Sequence, residues 1–409
     1  MKRKWQAALL IFGVALLIRL AMIGVWQQTG RAEEIPSDAY SYYEIAQNWA
    51  HGEGFKLEGK PTARRGPLYP AMIVVTSRGF PFPLGIRLVQ AILGAVSCVI
   101  LFLLGCELWG KAVGFLAAAI YSFDYSAVRQ VVSVMPEVLF VFLLLGSTWL
   151  MIRSQNQNQI FLSLFAGVLA GLAVLTKEVL TFYFFLIGIW FFWGFRKKAA
   201  VVFLLGLVLA TAPWVIRNRM VFGEWGLVTS NAGHVFYLGN NPLISGRIVG
   251  EEWEYNGDSG FPQNDPSLPP LFTPEADRYL LKRGLEFVQK NPGRFLELTA
   301  GKILRFWFPF YLGSPLATKV LAVLSYLPVV ILGWTGIFLS ARRWKELVPI
   351  WGPIIYLSLI YSVTISGIRY RYPAMPFLTL FAAFSFYELW NKRMKKSLVL
   401  AGDSRKLHS

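Results

Sequence analysis

The sequence predicts an all-α polytopic membrane protein. Of its 409 residues, 55% are hydrophobic and only 15% are charged, a composition that a soluble domain of this size does not tolerate. Apolar runs of about 17–22 residues recur along the chain, and each is long enough to cross about 30 Å of hydrocarbon. Ten spans are expected, at residues 6–27, 86–108, 112–130, 135–152, 160–177, 179–195, 199–215, 317–340, 347–366 and 373–390.

The positive charges set the orientation of the spans. Lysine and arginine cluster before the first span and in three later short segments, at residues 2–4, 196–198, 342–345 and 392–396. With an even number of spans these clusters share one side, which the positive-inside bias makes the cytoplasmic side. We expect an inner-membrane protein with both termini in the cytoplasm. The net charge of +17 then reflects topology and anionic headgroups, and no nucleic-acid partner is expected.

Four regions follow from this topology. Residues 1–215 form an N-terminal transmembrane catalytic core whose first outer loop is residues 28–85. Residues 216–316 form an extracytoplasmic cap, residues 317–391 the C-terminal transmembrane helices, and residues 392–409 a basic cytoplasmic tail.

Short helices are expected in both outer segments. In the first outer loop the apolar positions Tyr42, Ile45, Ala46 and Trp49 fit a helix on the membrane surface, and PLYPAMIVV suggests a second one. The cap begins with turns, passes through the loop-like NGDSGFPQNDPSLPP, and then becomes helical. There Thr273 resembles an N-cap, and the pair at 291–292 (Asn-Pro) ends one helix and opens another.

Asp38 is the first candidate site residue. A carboxylate just outside a span can cap a helix, which Ser37 and Asp38 would do well. The alternative is a catalytic base at the membrane surface that takes a proton from a hydroxyl or amine acceptor.

Glu137 is a second acid, and the predicted topology places it on the same outer face. A glutamate in the first turn of a helix favours the helix dipole. An acid that begins an apolar span is also costly to keep, which favours a functional role. Asp38 and Glu137 together could hold a divalent cation, Mg²⁺ or Mn²⁺, through oxygen ligands.

Several cations are expected on the outer side, where positive charge is normally depleted. They are Arg64, Arg65, Lys177, Arg217, Arg369 and Arg371. Snorkelling to headgroups is the simpler interpretation, preferred for Arg64 and Lys177. The cluster otherwise favours phosphate binding by Arg65, Arg217, Arg369 and Arg371. Arg369 and Arg371 are expected in an extended turn, so both guanidinium groups would point the same way and converge on one phosphate.

Other kinds of site are excluded. GCELWGK, at residues 105–111, is close to a phosphate-binding loop, but Ala112 stands where a magnesium-binding Ser or Thr is needed. No G-x-G-x-x-G motif follows a strand. The three histidines are scattered and form no metal pattern. A sugar transferase without a nucleotide-binding fold needs another sugar source, and a lipid-linked donor is the natural candidate.

Four stretches together resemble the GT-C superfamily of membrane glycosyltransferases, in the branch of protein O-mannosyltransferases and the aminoarabinose transferase of lipid A. They are SDAYSYYEIAQNWAHGEGF with PTARRGPLYP, the Pro-Glu pair that heads a span, APWVIRNRMVFGEW leading to GHVFYLGNNP, and RYRYPAMPF. The resemblance implies that Asp38 is the base or a metal neighbour, Glu137 the second acid, and Arg369 and Arg371 donor-phosphate ligands. The chain departs from the family at Ala39, where a second acid often follows the first.

The expected function is therefore transfer of a sugar from a polyprenyl-phosphate-linked donor to a lipid, glycan or protein acceptor, on the outer face of the membrane. Membrane lipids are the other expected partners. Two alternatives stay open: a flippase or transporter of lipid-linked sugars, which predicts charged sites near the bilayer midplane, and a non-catalytic subunit of an envelope complex.

Overall fold

A computed structural model describes residues 2–30, 35, 37–194, 197–225, 229–249, 252–255, 265–271, 273–310 and 312–406. Most of the predicted loop NGDSGFPQNDPSLPP, with Arg196 and the end of the basic tail, lies outside the described residues.

The described part of the chain is almost entirely helical. The N-terminal part contains α1 (Lys2–Gln28), α2 (Ser37–Ala50), a two-stranded antiparallel hairpin of β1 (Lys56–Leu57) and β2 (Lys60–Pro61), α3 (Leu68–Ser77), α4 (Leu84–Leu108), α5 (Lys111–Phe123), α6 (Tyr125–Arg129), α7 (Glu137–Gln157), α8 (Ile160–Thr176), α9 (Thr181–Gly194) and α10 (Lys197–Phe222). A 3₁₀ turn (Glu178–Leu180) separates α8 from α9.

The second half begins with the cap. It contains α11 (Ala232–Gly239), an antiparallel hairpin of β3 (Ile244–Val249) and β4 (Glu252–Tyr255), α12 (Pro274–Lys290) and α13 (Pro292–Phe306). Three long helices follow: α14 (Leu316–Leu339), α15 (Val348–Val363) and α16 (Met375–Lys406). Two further 3₁₀ turns lie at Ala341–Arg343 and Ile368–Ala374.

Each of the ten predicted spans contains a helix, and the all-α polytopic fold class is confirmed. Five helices in the described residues are both long and apolar enough to cross a membrane, namely Arg3–Gln28, Leu84–Leu108, Glu137–Gln157, Lys197–Phe222 and Leu316–Leu339. The other predicted spans between residues 112 and 366 correspond to shorter apolar helices of 10–17 residues. The chain is an integral membrane protein.

Two helix ends differ from the limits of the predicted spans. The span expected at 112–130 ends at Phe123, because Asp124 takes an extended conformation and its carboxylate accepts a hydrogen bond from the Ala127 amide, which caps α6. The last helix does not end near residue 390 but continues through Lys406, so the basic tail expected at 392–409 is largely helical.

Small residues allow the closest helix packing. α8 carries Gly167 and Gly171 one turn apart, and α10 packs directly on them. A β-carbon on Gly167 would stand 1.9 Å from the Phe203 carbonyl oxygen, and one on Gly171 would stand 2.6 Å from the β-carbon of Ala210. Without the hydrophobic effect to drive helices together in lipid, such close backbone contact supplies much of the packing energy. This pair holds α8 in place, and the cavity described below begins at the C-terminal end of that helix.

The short helices of the first outer loop and the cap follow the predicted signals. α2 and α3 occupy the loop, with Tyr42, Ile45 and Ala46 buried as the apolar pattern predicts, although Trp49 is 40% exposed. In the cap, the Thr273 hydroxyl accepts a hydrogen bond from the Ala276 amide, which confirms the predicted N-cap of α12. Helix α12 ends at Lys290 and α13 begins at Pro292, which confirms the predicted break.

The cap is joined to the membrane helices by buried polar contacts. Lys302 in α13 has no exposed surface, and its ammonium donates a hydrogen bond to Asn240 at 2.9 Å. The side-chain amide of Asn240 in turn donates to the Val363 carbonyl at 2.8 Å. The Ser366 hydroxyl donates to the carbonyl of Lys302 at 2.8 Å. These bonds hold the segment that leads into the 3₁₀ turn at 368–374.

Candidate active site

A cavity of about 380 Å³ lies where the first outer loop, the cap and the ends of several membrane helices meet. One wall is polar and carries Asp38, Arg65, Arg369 and their neighbours. Another part of the lining, the apolar wall, contains Val179, Phe182, Tyr356 and Ile360. Because the Phe182 side chain is 74% exposed on the helix surface, the apolar wall is continuous with the lipid-facing side of α9.

Asp38 belongs to the polar wall and contacts two arginines there. One carboxylate oxygen lies 3.3 Å from Nη2 of Arg65, and the other accepts a hydrogen bond from Nη2 of Arg369 at 2.5 Å. Burial alone would raise the pKa of Asp38, but the positive charges of Arg369 and Arg65 outweigh it and hold that pKa well below its ordinary value. The site thus combines an ionised carboxylate with two guanidinium groups. Asp38 and Arg369 lie 331 residues apart in the sequence.

Arg65 is fixed by its own loop and by α2. Its Nε donates to the Ser41 hydroxyl at 3.0 Å, and its guanidinium stands 4.7 Å from the ring centroid of Tyr42. The next residue, Gly66, packs so closely that a β-carbon would lie 2.1 Å from the carbonyl oxygen of Leu175. The arginine loop therefore rests directly on the end of α8.

Glu137 lies behind the polar wall. It is fully buried, and one oxygen is 3.0 Å from the ammonium of Lys177 and 3.9 Å from Nε of Arg369. Its helix start is positioned by Gln90, whose amide donates to the carbonyls of Val131 and Ser133 at 2.9 Å. Glu137 therefore neutralises two cations of the site without lining the cavity itself.

The arrangement does not favour the divalent cation considered for Asp38 and Glu137. The guanidinium of Arg369 contacts both carboxylates, so the place between them is already positively charged. Across the described residues, no group of three or more His, Cys, Asp or Glu side chains is arranged to hold a metal ion. The donor set fits guanidinium groups and does not fit Mg²⁺ or Mn²⁺.

Arg371 does not join Arg369, which corrects the expectation that both converge on one phosphate. The segment is a 3₁₀ turn and not an extended one, so residues two apart point in different directions. Arg371 is only 3% exposed, donates to the carbonyls of Phe306, Phe308 and Pro309, and stacks on Tyr326 at 3.9 Å. It anchors the end of α13.

Arg217 also lies apart from the cavity. Its Nη1 donates to the Thr62 carbonyl at 2.9 Å, its Nη2 donates to the Phe55 carbonyl at 3.3 Å, and its guanidinium stacks on Trp214 at 4.8 Å. It holds both ends of the small hairpin that precedes Arg64 and Arg65. The structure therefore does not bring Arg217 together with the other cations that were expected to bind phosphate.

Several lining residues were not selected from the sequence. Snorkelling was preferred for Arg64 and Lys177, yet both line the cavity, and Lys177 is committed to Glu137. Glu178 and His234 also line it. The available signal was local: Lys177 and Glu178 place opposite charges directly after an apolar span, and His234 belongs to the segment GHVFYLGNNP.

His234 is a neutral polar group of the cavity. Burial lowers its pKa to about 3, and the positive charges of Arg64 and Arg65 add to this shift. Its backbone amide donates to Asp277 at 2.9 Å, which ties α11 to the start of α12. The imidazole is therefore a hydrogen-bonding group that carries no charge near neutral pH.

Part of the chain is similar to a known protein family. The model of the dolichyl-phosphate-mannose-protein mannosyltransferase family matches residues 68–216, which is less than half of the chain. The match covers α3 to most of α10, so it includes Glu137 and Lys177 but neither Asp38 nor Arg369. No curated protein sequence matches this chain.

Solved structures match nearly all of it. The oligosaccharyltransferase of Archaeoglobus fulgidus in its apo form aligns with a TM-score of 0.59 at 13% identity, over 96% of this chain and 52% of that one. ArnT from Cupriavidus metallidurans bound to undecaprenyl phosphate aligns with a TM-score of 0.56 at 13% identity, over 96% and 63%. The archaeal oligosaccharyltransferase AglB from A. fulgidus, in complex with an inhibitory peptide and a dolichol-phosphate, aligns with a TM-score of 0.55 at 14% identity, over 98% and 52%.

These matches establish the fold. The predicted resemblance is confirmed at the level of the fold, because the chain shares the architecture of these membrane proteins along almost its whole length. The chain nevertheless spans only about half to two thirds of the length of the structures it matches.

Proposed function

We propose that this chain is a glycosyltransferase that moves a sugar from a polyprenyl-phosphate-linked donor to a lipid, glycan or protein acceptor. The observation that carries the proposal is the Asp38 carboxylate held between Arg65 and Arg369, in a cavity whose other wall is apolar and continuous with the lipid-facing surface. A polyprenyl phosphate needs both features: cations for the phosphate and an apolar path for the chain. The GT-C fold and the mannosyltransferase match over residues 68–216 support the same activity.

In the proposed reaction Arg65 and Arg369 bind the donor phosphate. The acceptor oxygen or nitrogen attacks the anomeric carbon, a new bond forms there, and the bond from that carbon to the phosphate oxygen breaks. The lipid phosphate leaves with the electron pair, and the guanidinium groups stabilise the charge that develops on it. The proton of the acceptor passes to Asp38, and the stereochemistry at the anomeric carbon inverts.

The salt bridges impose an order on these events. A carboxylate whose pKa is held well below its ordinary value is a weak base. When the donor phosphate shares Arg65 and Arg369, the positive field on Asp38 weakens and its affinity for a proton rises. Donor binding thus prepares the base, and little proton abstraction is expected before the phosphate is in place.

The test uses purified protein in lipid nanodiscs with radiolabelled undecaprenyl-phosphate mannose, glucose and arabinose as donors. We expect release or transfer of the label by the wild type, and a loss of about 10²–10⁴-fold in Asp38→Asn, the usual contribution of a general base. Asp265→Asn, in a cap carboxylate that hydrogen-bonds Ser267, is the matched control and should stay active. Wild-type activity in Asp38→Asn would make Asp38 a structural residue.

The proposal includes an orientation: an inner-membrane protein with both termini in the cytoplasm and the cavity outside. The cationic clusters near residues 2–4, 342–345 and 392–396 support it. A reporter that is active only outside the cytoplasm should be active when fused after Asp265 and silent when fused after Arg393. The reverse pattern would place Asp38 in the cytosol and exclude a donor presented at the outer face.

A further inference from the structure

The cavity holds two carboxylates in different situations. Asp38 is engaged by two arginines, whereas Glu178 makes neither an ion pair nor a side-chain hydrogen bond with any residue that the structure describes. Glu178 is only partly exposed. A partly buried carboxylate that lines a cavity and has no hydrogen-bond partner can accept a hydrogen bond from a ligand, so its position is suited to a ligand.

The local backbone separates Glu178 from its neighbour. Lys177 ends α8 in an extended conformation, with φ −147° and ψ 118°, and its ammonium reaches back to Glu137 in α7. The 3₁₀ turn then starts at Glu178 and places this residue in the cavity lining. Lys177 and Glu178 are adjacent and carry opposite charges, but they do not pair with each other. Lys177 pairs with Glu137, and the Glu178 carboxylate lines the cavity.

Glu178 lines the cavity together with the arginines and with residues of the cap. Burial would lower the pKa of Arg65, but this pKa is raised overall, and the negative charges of Asp38 and Glu178 contribute to the rise. Burial raises the pKa of Asp277 at the start of α12, and the negative charge of Glu178 adds to the shift. Glu178 therefore shares the cavity lining with Arg65 and with the cap residues Asn231 and His234, so one ligand in the cavity can reach all of them.

We propose that Glu178 binds the acceptor, by accepting a hydrogen bond from an O–H or N–H group beside the one that receives the sugar. This inference rests on the proposed function. The reacting hydroxyl group has a single proton, which passes to Asp38. Glu178 must therefore accept its hydrogen bond from a second O–H or N–H group of the acceptor. The acceptor class that fits is one with adjacent hydrogen-bond donors, such as a sugar with vicinal hydroxyl groups.

The experiment compares two probe acceptors of equal chain length, octyl β-D-glucoside and 1-octanol, with the donors used above. The glucoside is kept below its micelle concentration and octanol below its solubility limit. The glucoside offers several hydroxyl groups and octanol only one. We expect the wild type to prefer the glucoside in kcat/KM, and Glu178→Ala to lose about 10- to 100-fold of that preference. Transfer to octanol, hydrolysis of the donor by water and the KM for the donor should change less than transfer to the glucoside.

Three further variants keep the result interpretable. Glu178→Asp retains the charge and should restore part of the preference, and Glu286→Gln, in an exposed part of α12, should match the wild type. An octyl glucoside with an amino group at C2 distinguishes an ammonium partner of Glu178 from a hydroxyl partner. If Glu178→Gln loses more kcat/KM with the amino compound than with the glucoside, the partner is an ammonium group. If the two losses are equal, the partners are hydroxyl groups.

The outcomes distinguish this inference from the proposed function. A wild type that neither hydrolyses nor transfers from any of the donors would overturn the proposed function. A wild type that hydrolyses the donor but transfers to neither probe would overturn the acceptor class. An unchanged preference in Glu178→Ala, or an equal loss in the KM for the donor, would overturn the role of Glu178 alone.

Discussion

Two pairs of arginines lie near the ends of the membrane helices, and the two pairs bind different partners. Arg65 and Arg369, the cavity arginines, bind the carboxylate of Asp38. Arg217 and Arg371, the scaffold arginines, donate to backbone carbonyls. Position near the membrane surface therefore does not decide the role of an arginine. The group that accepts the hydrogen bonds of the arginine decides its role. An arginine bound to a carboxylate can bind a phosphate instead, whereas a buried backbone carbonyl that loses its arginine donor is left without a hydrogen bond.

Exposure follows the same division. The side chains of Arg65 and Arg369 are 13% and 29% exposed, so an incoming anion can reach them. Arg371 is 3% exposed and lies against the ring of Tyr326. Removing a buried donor leaves its carbonyl partners unsatisfied, at a cost of about 1–3 kcal/mol for each group.

The largest expected effect separates two residues of one turn. Arg369→Lys keeps the charge but loses the forked geometry, so the affinity for undecaprenyl phosphate should fall by about 10- to 100-fold with little change in Tm. Arg371→Lys should instead lower Tm by several degrees, and the protein that remains folded should bind the lipid normally. The measurements are lipid binding and thermal unfolding in the same nanodiscs. Weak binding with an unchanged Tm in Arg371→Lys would move Arg371 into the binding site.

A smaller effect is expected at the carboxylate between the cavity arginines. Asp38→Asn removes a negative charge that competes with the donor phosphate for Arg65 and Arg369. The variant should therefore bind undecaprenyl phosphate several-fold more tightly than the wild type, a gain of about 1 kcal/mol, although it is inactive. Asp265→Asn should bind as the wild type does. Weaker binding by Asp38→Asn would mean that the carboxylate holds the arginines in place for the phosphate.

The smallest effect concerns Lys302, whose bond to Asn240 holds the segment before the cavity turn. Burial lowers the pKa of Lys302 to about 7. Between pH 7 and the ordinary lysine range, near 10.5, the unfolded chain binds more protons than the folded one. The free energy of unfolding should therefore rise with pH across this window, and below pH 7 Lys302 should add nothing to it. Lys302→Met should flatten the rise in Tm between pH 7 and 10, and an equal slope in both proteins would show that Lys302 is charged in the fold.

Much of the fold could be predicted because its signals are local. Apolar runs located the long helices, the apolar spacing around Ile45 located α2, and Thr273 located the start of α12. Asp38, Arg65 and Arg369 were also selected from the sequence, and the structure brings these three together. Their proposed roles in catalysis and donor binding stay predictions.

The rest depended on geometry that the sequence does not carry. A 3₁₀ turn rotates about 120° per residue, so Arg369 and Arg371 diverge where an extended segment would align them. Lys177 seemed to be a snorkelling residue because its partner Glu137 lies 40 residues earlier, on a helix that packs against α8 only in the folded chain. Arg217 finds its carbonyl partners 155 and 162 residues away.

The contact of Gly66 with the Leu175 carbonyl has a consequence for laboratory selection of new specificities. A second glycine, Gly239, packs just as closely, since a β-carbon added to it would stand 2.0 Å from the Thr364 carbonyl oxygen. Both glycines flank the cavity, so a library that randomises them would consist mostly of chains that cannot close the site. Diversity is better placed at Glu178 and Asn231, which line the cavity and can change its chemistry without forcing two backbones apart.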